Sequence, residues 1–333
     1  MSLALVFGGC CANALTLQEL TAGHADLGYL ITFSQFAFIS SVSLFSNLKL
    51  HPYPTLKRRR IPIAQHLLQV VLFYFVSLLN NAAFAYDIPV TVHIIFRSGG
   101  LVTSMLLGWL ISNKKFSRTR ILSVLIVTIG IYLTTISTSP SKASQSSSSR
   151  QTYNQGIGIL AFALFLSSYL GIVQERTIKA NASDQPFPED EYAPAHRESL
   201  FYLHALALPM FIPLLPSIKD QLRALGTYPP LEHYPSLLVP SQYLPLAFNS
   251  LTALVCTTGV HGLLSSSYTS LTITLVLAVR KAVSLVLSVL MDGNWDQPML
   301  WAGASLVTLG TVMYALDAGQ STAPRPSPEK KMQ

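Results

Sequence analysis

The sequence predicts an all-α integral membrane protein of ten transmembrane helices, arranged as two inverted five-helix repeats. Three observations predict it. Charged residues make up 11% of the 333 and hydrophobic ones 50%, whereas a soluble domain carries roughly a quarter charged residues. At least eight apolar stretches exceed the roughly 18 residues that cross a bilayer core. Short motifs also recur in the same order in the two halves of the chain.

The ten spans are 3–22, 27–48, 66–86, 88–112, 118–137, 155–176, 198–218, 242–262, 265–291 and 298–317. No basic side chain precedes Leu3, so the first span reads as uncleaved rather than as a signal peptide. The links at 87 and at 263–264 each force a tight hairpin. The Ser-rich stretch 138–154 reads as a flexible linker. It divides a first repeat over 1–137 from a second over 155–317. Residues 318–333 hold three prolines and little apolar content, the composition of a disordered tail.

Lysine and arginine set the orientation. With the N-terminus in the cytosol, the cytosolic side carries fifteen basic residues. They fall at 49–65 (Lys49, Lys57, Arg58, Arg59, Arg60), at 113–120 (Lys114, Lys115, Arg118, Arg120), at 176–197 (Arg176, Lys179, Arg197) and in the tail. The lumenal side carries four: Lys142, Arg150, Lys219 and Arg223. Both termini therefore face the cytosol, and the sequon at Asn181 lies on that side and is expected to be unmodified. The net charge of +7 expresses this topology and implies no nucleic-acid partner. The cysteines, Cys10, Cys11 and Cys256, lie in apolar segments and offer neither a disulfide framework nor zinc spacing. They read as small packing residues, and no metal or cofactor is expected.

The repeat rests on three correspondences. Gln18-Glu19 ends the first span and Gln174-Glu175 the sixth. Val127-Thr128-Ile129-Gly130 in the fifth answers Val307-Thr308-Leu309-Gly310 in the tenth, and Arg97 answers Arg280. Five spans per half is an odd number, so the second half enters the membrane inverted. Inverted repeats typify secondary transporters, whose substrate site lies at the repeat interface near the midplane.

Three basic residues remain inside spans: Arg97, Arg280 and Lys281. A charge at the helix centre costs roughly 2.5–3.5 kcal/mol on insertion scales, so these side chains line a cavity or pair with acids. Arg97 lies nine residues into the fourth span and Lys281 ten from the end of the ninth, each about 15 Å deep at the helical rise. His93, Arg97, Gly100, Ser104 and Gly108 share one helix face; Thr274, Lys281, Ser284 and Ser288 share another. Arginine's fork and lysine's compact charge suit the oxygens of a pyrophosphate. The other reading is internal pairing with Glu19 or Glu175, which could equally serve as gates on opposite sides or as hydrated interfacial carboxylates. Tyr29, Gln35, Asn80, Asn81, His93, Tyr202 and His204 are candidates for a base and a sugar, through ring stacking and amide hydrogen bonds. For each, the competing role is an interhelical hydrogen bond or helix packing. No nucleophile elbow, Walker loop or dinucleotide fingerprint appears, so an enzyme is not indicated.

The run Asn80-Asn81-Ala82-Ala83-Phe84, then His93-Ile94-Ile95-Phe96-Arg97-Ser98-Gly99-Gly100, resembles the nucleotide-sugar transporter family, in its UDP-N-acetylglucosamine subgroup. So do Glu198 through His204 and the blocks Ser270-Leu271-Thr272, Thr274-Leu275-Val276-Leu277 and Arg280-Lys281. The resemblance spans nearly all ten helices. It implies the drug/metabolite transporter fold and an antiporter that brings UDP-N-acetylglucosamine into the endoplasmic reticulum or Golgi lumen while UMP leaves. It also implies phosphate contact at Arg280-Lys281. UDP-xylose, another nucleotide sugar, or a non-sugar metabolite exported through the same fold are the alternatives. Lys330-Lys331 is similar to a cytosolic dilysine retrieval signal, which implies the endoplasmic reticulum membrane, with the Golgi as alternative. The expected partners are the UDP-sugar and UMP, the bilayer, coat proteins on the dilysine tail and a possible second copy in a homodimer.

Overall fold

The computed structural model describes residues 2–23, 26–49, 53–86, 88, 92–93, 96, 99–112, 116–137, 147–180, 188, 191–227, 242–264, 276, 279–280, 283–284, 287, 290 and 297–320. The structure is helical apart from a two-stranded hairpin. In chain order come α1 (Ser2–Gly23), α2 (Gly28–Asn47), β1 (Leu48–Lys49), β2 (Thr55–Leu56), α3 (Ile63–Ala82) and a 3₁₀ turn (Ala83–Tyr86). Then follow α4 (Gly100–Ser112), α5 (Arg118–Ser137), α6 (Ser147–Ala180), α7 (Ala195–Ala205), a 3₁₀ segment (Leu208–Leu214), α8 (Leu215–Gly226), α9 (Tyr243–Leu264) and α10 (Pro298–Gln320). Among the described residues, six helical segments are long and apolar enough to cross a membrane, and Pro298–Tyr314 is a shorter apolar one. The protein is thus a multi-pass membrane protein. In the ninth span the described residues Val276, Val279, Arg280, Val283, Ser284, Leu287 and Leu290 fall at helical spacing on one face.

Several expected boundaries move. The sixth helix starts at Ser147, inside the stretch read as linker, because serines cost a helix only a few tenths of a kcal/mol each. The seventh span is not one straight helix. Pro209, Pro213 and Pro216 remove backbone donors and crowd the preceding turn, so α7 ends at Ala205, tightens to 3₁₀ and resumes as α8. The last helix reaches Gln320, three residues into the expected tail; residues 321–333, with Lys330 and Lys331, lie outside the described residues, as does Asn181.

Two helix pairs pack more extensively than any other described pair, α5 with α10 and α1 with α9. Glycine makes both approaches possible. A Cβ on Gly130 would stand 2.7 Å from the Gly303 carbonyl oxygen and 2.9 Å from the Val307 nitrogen; one on Gly310 would stand 2.7 Å from the Ser123 oxygen and 3.1 Å from the Val127 nitrogen. The contacts are reciprocal: 130 meets 303 and 307, and 310 meets 123 and 127. Both ends of this seam are fastened. Arg120 Nε donates to Asp317 Oδ2 at 2.8 Å, and Ser137 Oγ donates to Gln297 Oε1 at 3.1 Å.

The α1–α9 seam overturns one expectation. Cys10 and Cys256 form a disulfide, their Cα atoms 4.5 Å apart, and Cys11 alone stays a free, buried thiol. The physical reason is again glycine: Gly9 lies against Val255 and Cys256, and Gly259 against Leu5 and Val6, so the backbones meet where the sulfurs face each other. The partners are 246 residues apart in sequence, and nothing local announces them.

The largest apolar cluster joins Leu17 and Leu20 of α1, Ile31 and Phe36 of α2, Val70 and Tyr74 of α3, Leu203 and Phe211 of the seventh span and Leu246 of α9. Contacts between helix ends sort the connections into two sides. On one, Asn47 Nδ2 donates to the Arg197 carbonyl and Arg58 pairs with Glu191. On the other, Gln221 accepts the Leu30 N–H and donates to the Asp26 carbonyl. These groupings follow from spans that cross alternately.

Candidate functional site

Arg280 is the described member of the cationic trio; Arg97 and Lys281 lie outside the described residues. Arg280 is held by the ninth span against α1. Ser284, one turn on, places its hydroxyl 3.5 Å from Cys11 Sγ, and Val276, one turn before, packs with Val6 and Cys10. The buried Nε of Arg280 has no hydrogen-bond partner. A buried donor without an acceptor carries a desolvation penalty, which an anionic guest would remove.

One turn along α1 from Cys10, a band of amides and hydroxyls ties three helices together. Asn13 Nδ2 donates to the Asn249 carbonyl at 3.0 Å and to Thr252 Oγ1 at 3.3 Å. Asn249 Nδ2 donates to Thr16 Oγ1 at 3.2 Å, and its Oδ1 accepts Gln35 Nε2 at 2.7 Å. Ser250 Oγ donates to Ser34 Oγ at 3.2 Å beside them. Gln35 was foreseen as a solute reader. Asn13, Thr16, Asn249 and Thr252 were not, although an asparagine inside an apolar span is itself a signal. Asn13, Thr16 and Gln35 are only part-buried, so the band is open on one flank.

Other candidate residues make contacts within or between helices. Asn81 donates through Nδ2 to Thr32 Oγ1 at 2.7 Å, stitching α3 to α2. Asn80 bonds the Val76 carbonyl of its own helix at 2.8 Å. His204 donates from Nδ1 to the Leu200 carbonyl at 2.7 Å, and its ring meets Phe36 and Phe73 edge-on. Tyr29 packs on the large apolar cluster, and His93 is buried. Glu19 is exposed on α1; the side chain of Glu175 is outside the described residues.

Tyr202 is placed differently. Its ring stacks on His66 at 5.0 Å, and the Arg59 guanidinium stands 5.9 Å from its centroid. Beneath this pair lies a carboxylate that the sequence did not single out as a site. Glu198, buried to 1% exposure, accepts the backbone N–H groups of Arg60 at 2.8 Å and Ile61 at 3.1 Å, and sits 3.2 Å from His66 Nε2. Thus α7 holds the loop that leads into α3.

The bundle of apolar helices, with an arginine and an amide band inside it, is that of a membrane protein, and its family and relatives make it a transporter rather than an enzyme. The chain belongs to the UAA transporter family, whose sequence pattern it matches over residues 1–318. It is 32% identical over 321 residues to the "UDP-xylose and UDP-N-acetylglucosamine transporter" of Danio rerio, covering 94% of this chain and 92% of that one. It is 36% identical to the "Nucleotide sugar transporter SLC35B4" of Macaca fascicularis, covering 94% and 92%. It is also 36% identical to the "UDP-N-acetylglucosamine transporter yea4" of Schizosaccharomyces pombe, covering 94% of each. The family resemblance read from the sequence holds.

Proposed function

We propose that the protein exchanges UDP-N-acetylglucosamine for UMP across the endoplasmic reticulum or Golgi membrane, the sugar nucleotide moving into the lumen. The observation that carries this reading is the Arg280 guanidinium, buried without an acceptor at Nε and followed by Lys281 in the chain. It is supported by relatives whose names specify UDP-N-acetylglucosamine transport. Arg97, Arg280 and Lys281 form the diphosphate site, at the interface of two inverted repeats over 1–137 and 155–317. Support for the repeat comes from the reciprocal contacts of Gly130 and Gly310 and from which helices meet. The first span packs on the eighth and the third on the sixth, as the second does on the eighth and the seventh on the third. Exchanging first with sixth, second with seventh and third with eighth maps each contact onto its partner.

Exchange follows from charge. An empty carrier that switches sides must hide unpaired cations, at a desolvation cost of several kcal/mol. A loaded one hides a neutralised pair. UMP keeps the phosphate and the base, so it suits the return step. The basic residues place both termini in the cytosol, where Lys330 and Lys331 can meet coat proteins.

The test is uptake of labelled UDP-N-acetylglucosamine into proteoliposomes preloaded with UMP. Losing one charge-assisted bond to phosphate costs about 1.5–3 kcal/mol, so Arg280→Ala and Lys281→Ala each cut exchange about tenfold or more. Wild-type rates in both variants refute the assignment. One observation favours a second substrate, the printed name of the Danio rerio relative, which includes UDP-xylose; competition by unlabelled UDP-xylose measures it.

A further inference from the structure

Glu198 and His66 are both buried, to 1% and 0% exposure, beside the ring of Tyr202, and yet polar. A buried carboxylate is tolerated only where donors surround it. Here three converge: the Arg60 N–H on Oε2, the Ile61 N–H on Oε1 and His66 Nε2 on Oε1. Two of the three are backbone groups of one short loop, so the carboxylate fixes that loop's path rather than a side chain. The Arg58 N–H donates to the Glu191 carbonyl at 2.8 Å, and the Lys57 N–H to the Asn47 carbonyl at 2.9 Å, which anchors the loop upstream. Arg59, exposed, is then the residue whose side chain is aimed: its guanidinium stands over Tyr202. Glu198 and Tyr202 are four residues apart on α7 and share a face. The helix thus grips the loop with one side chain and offers the ring that the loop covers with the other.

We propose that Glu198 is a positioning residue that latches the 57–61 loop, and that Arg59 over Tyr202 is the closed gate on this side of the carrier. The proposal rests on the exchange reading above. The basic-residue count puts this gate on the cytosolic side. A cation over a ring is held more weakly than a cation on phosphate. An arriving nucleotide sugar therefore draws Arg59 off the Tyr202 ring, and this release is the opening step of the gate. With no nucleotide on the cytosolic side the gate stays shut, which couples opening to the presence of cargo.

Two variants and two readouts test this. In proteoliposomes preloaded with labelled UMP and given no external nucleotide, Arg59→Gln leaves the latch intact but removes the cation, and unaccompanied UMP efflux rises about two- to fivefold, the effect of losing one exposed cation–ring contact. Glu198→Gln also raises efflux, and in addition deprotects the Arg60 and Ile61 amides in hydrogen–deuterium exchange, which Arg59→Gln does not. Arg59 is on the surface, so its variant folds. Wild-type efflux in Arg59→Gln, or wild-type amide protection in Glu198→Gln, overturns the proposal. A wild-type protein that fails to carry UDP-N-acetylglucosamine in the exchange assay defeats the substrate reading instead. The amide protection still reads the latch independently of any substrate.

Discussion

Replacing Gly130 by alanine adds one methyl at a tight point of the α5–α10 seam. That methyl would sit 2.7 Å from the Gly303 oxygen, 2.8 Å from Val307 Cγ2 and 2.9 Å from the Val307 nitrogen. Two of the three obstacles are backbone, so no rotamer relieves the clash and the helices must part. Overpacking of this kind costs about 1–3 kcal/mol. Against it stands the helix propensity of alanine, a gain of about 1 kcal/mol over glycine. Gly8→Ala and Gly158→Ala isolate that gain, since a Cβ at either position meets nothing within 4 Å. The gap in thermal stability between Gly130→Ala and these controls, measured in one detergent without nucleotide, is therefore the steric cost alone. Gly310→Ala must show nearly the same gap, because its methyl would meet Ser123 and Val127 just as the first meets Gly303 and Val307. The double variant costs less than the sum, since helices already parted have less to lose. If Gly130→Ala and Gly310→Ala melt with the controls, the seam is looser than its glycines imply and the reciprocity has no energetic meaning.

Two further outcomes follow from the other seam. Alkylation of the unfolded protein without reductant labels one cysteine, Cys11, and after reduction labels three; three labels without reductant rule out the Cys10–Cys256 bond. Asn249→Ala removes bonds to Gln35 and Thr16 at once and leaves both side chains short of a partner. At roughly 0.6–1.7 kcal/mol for each interhelical bond in a membrane protein, it lowers thermal stability by about 1–3 kcal/mol, and an unchanged melting temperature dismisses the band as a structural element.

Properties written in single segments were legible from the sequence. Apolar length marked the spans, and the recurring Val-Thr-x-Gly marked two helices that the structure packs together through those glycines. Arg280 stood out because a cation is rare in hydrocarbon, and it is found with a bare donor. Properties written between segments were not legible. Cys10 and Cys256 meet only because two glycines allow α1 and α9 to touch. Glu198 looked like an ordinary acid in a helix's first turn, where the dipole favours one. Its real partners are backbone groups near residue 60, which no side-chain pattern reveals. Asn81 and His204 show the ambiguity from the other side: chemistry suited to reading a base is equally suited to tying helices together, and here these side chains bond Thr32 and the Leu200 carbonyl. The broken seventh span was readable from its three prolines, but apolar length alone concealed it.

Where the bundle can move follows from how its interfaces are fastened. The α5–α10 seam is clamped at both ends and interlocked by glycine at its middle, and the α1–α9 seam is crossed by a covalent bond. Sliding either seam would carry bulkier side chains into close backbone approaches that only glycine permits. The seventh span offers the reverse. Its prolines have already cost it the continuous hydrogen-bond ladder, so bending there sacrifices little. It contacts α2 and α3 through rings and single hydrogen bonds, such as Tyr74 Oη to the Met210 carbonyl at 2.7 Å. Its first turn carries Glu198, two of whose three bonds tie this span to the 57–61 loop and the third to His66 of α3. A hinge at 206–214 beside two rigid seams would swing α7 together with the loop it grips. The proposed latch is therefore placed on a span that its prolines let bend, which is where a gate driven by cargo has to act.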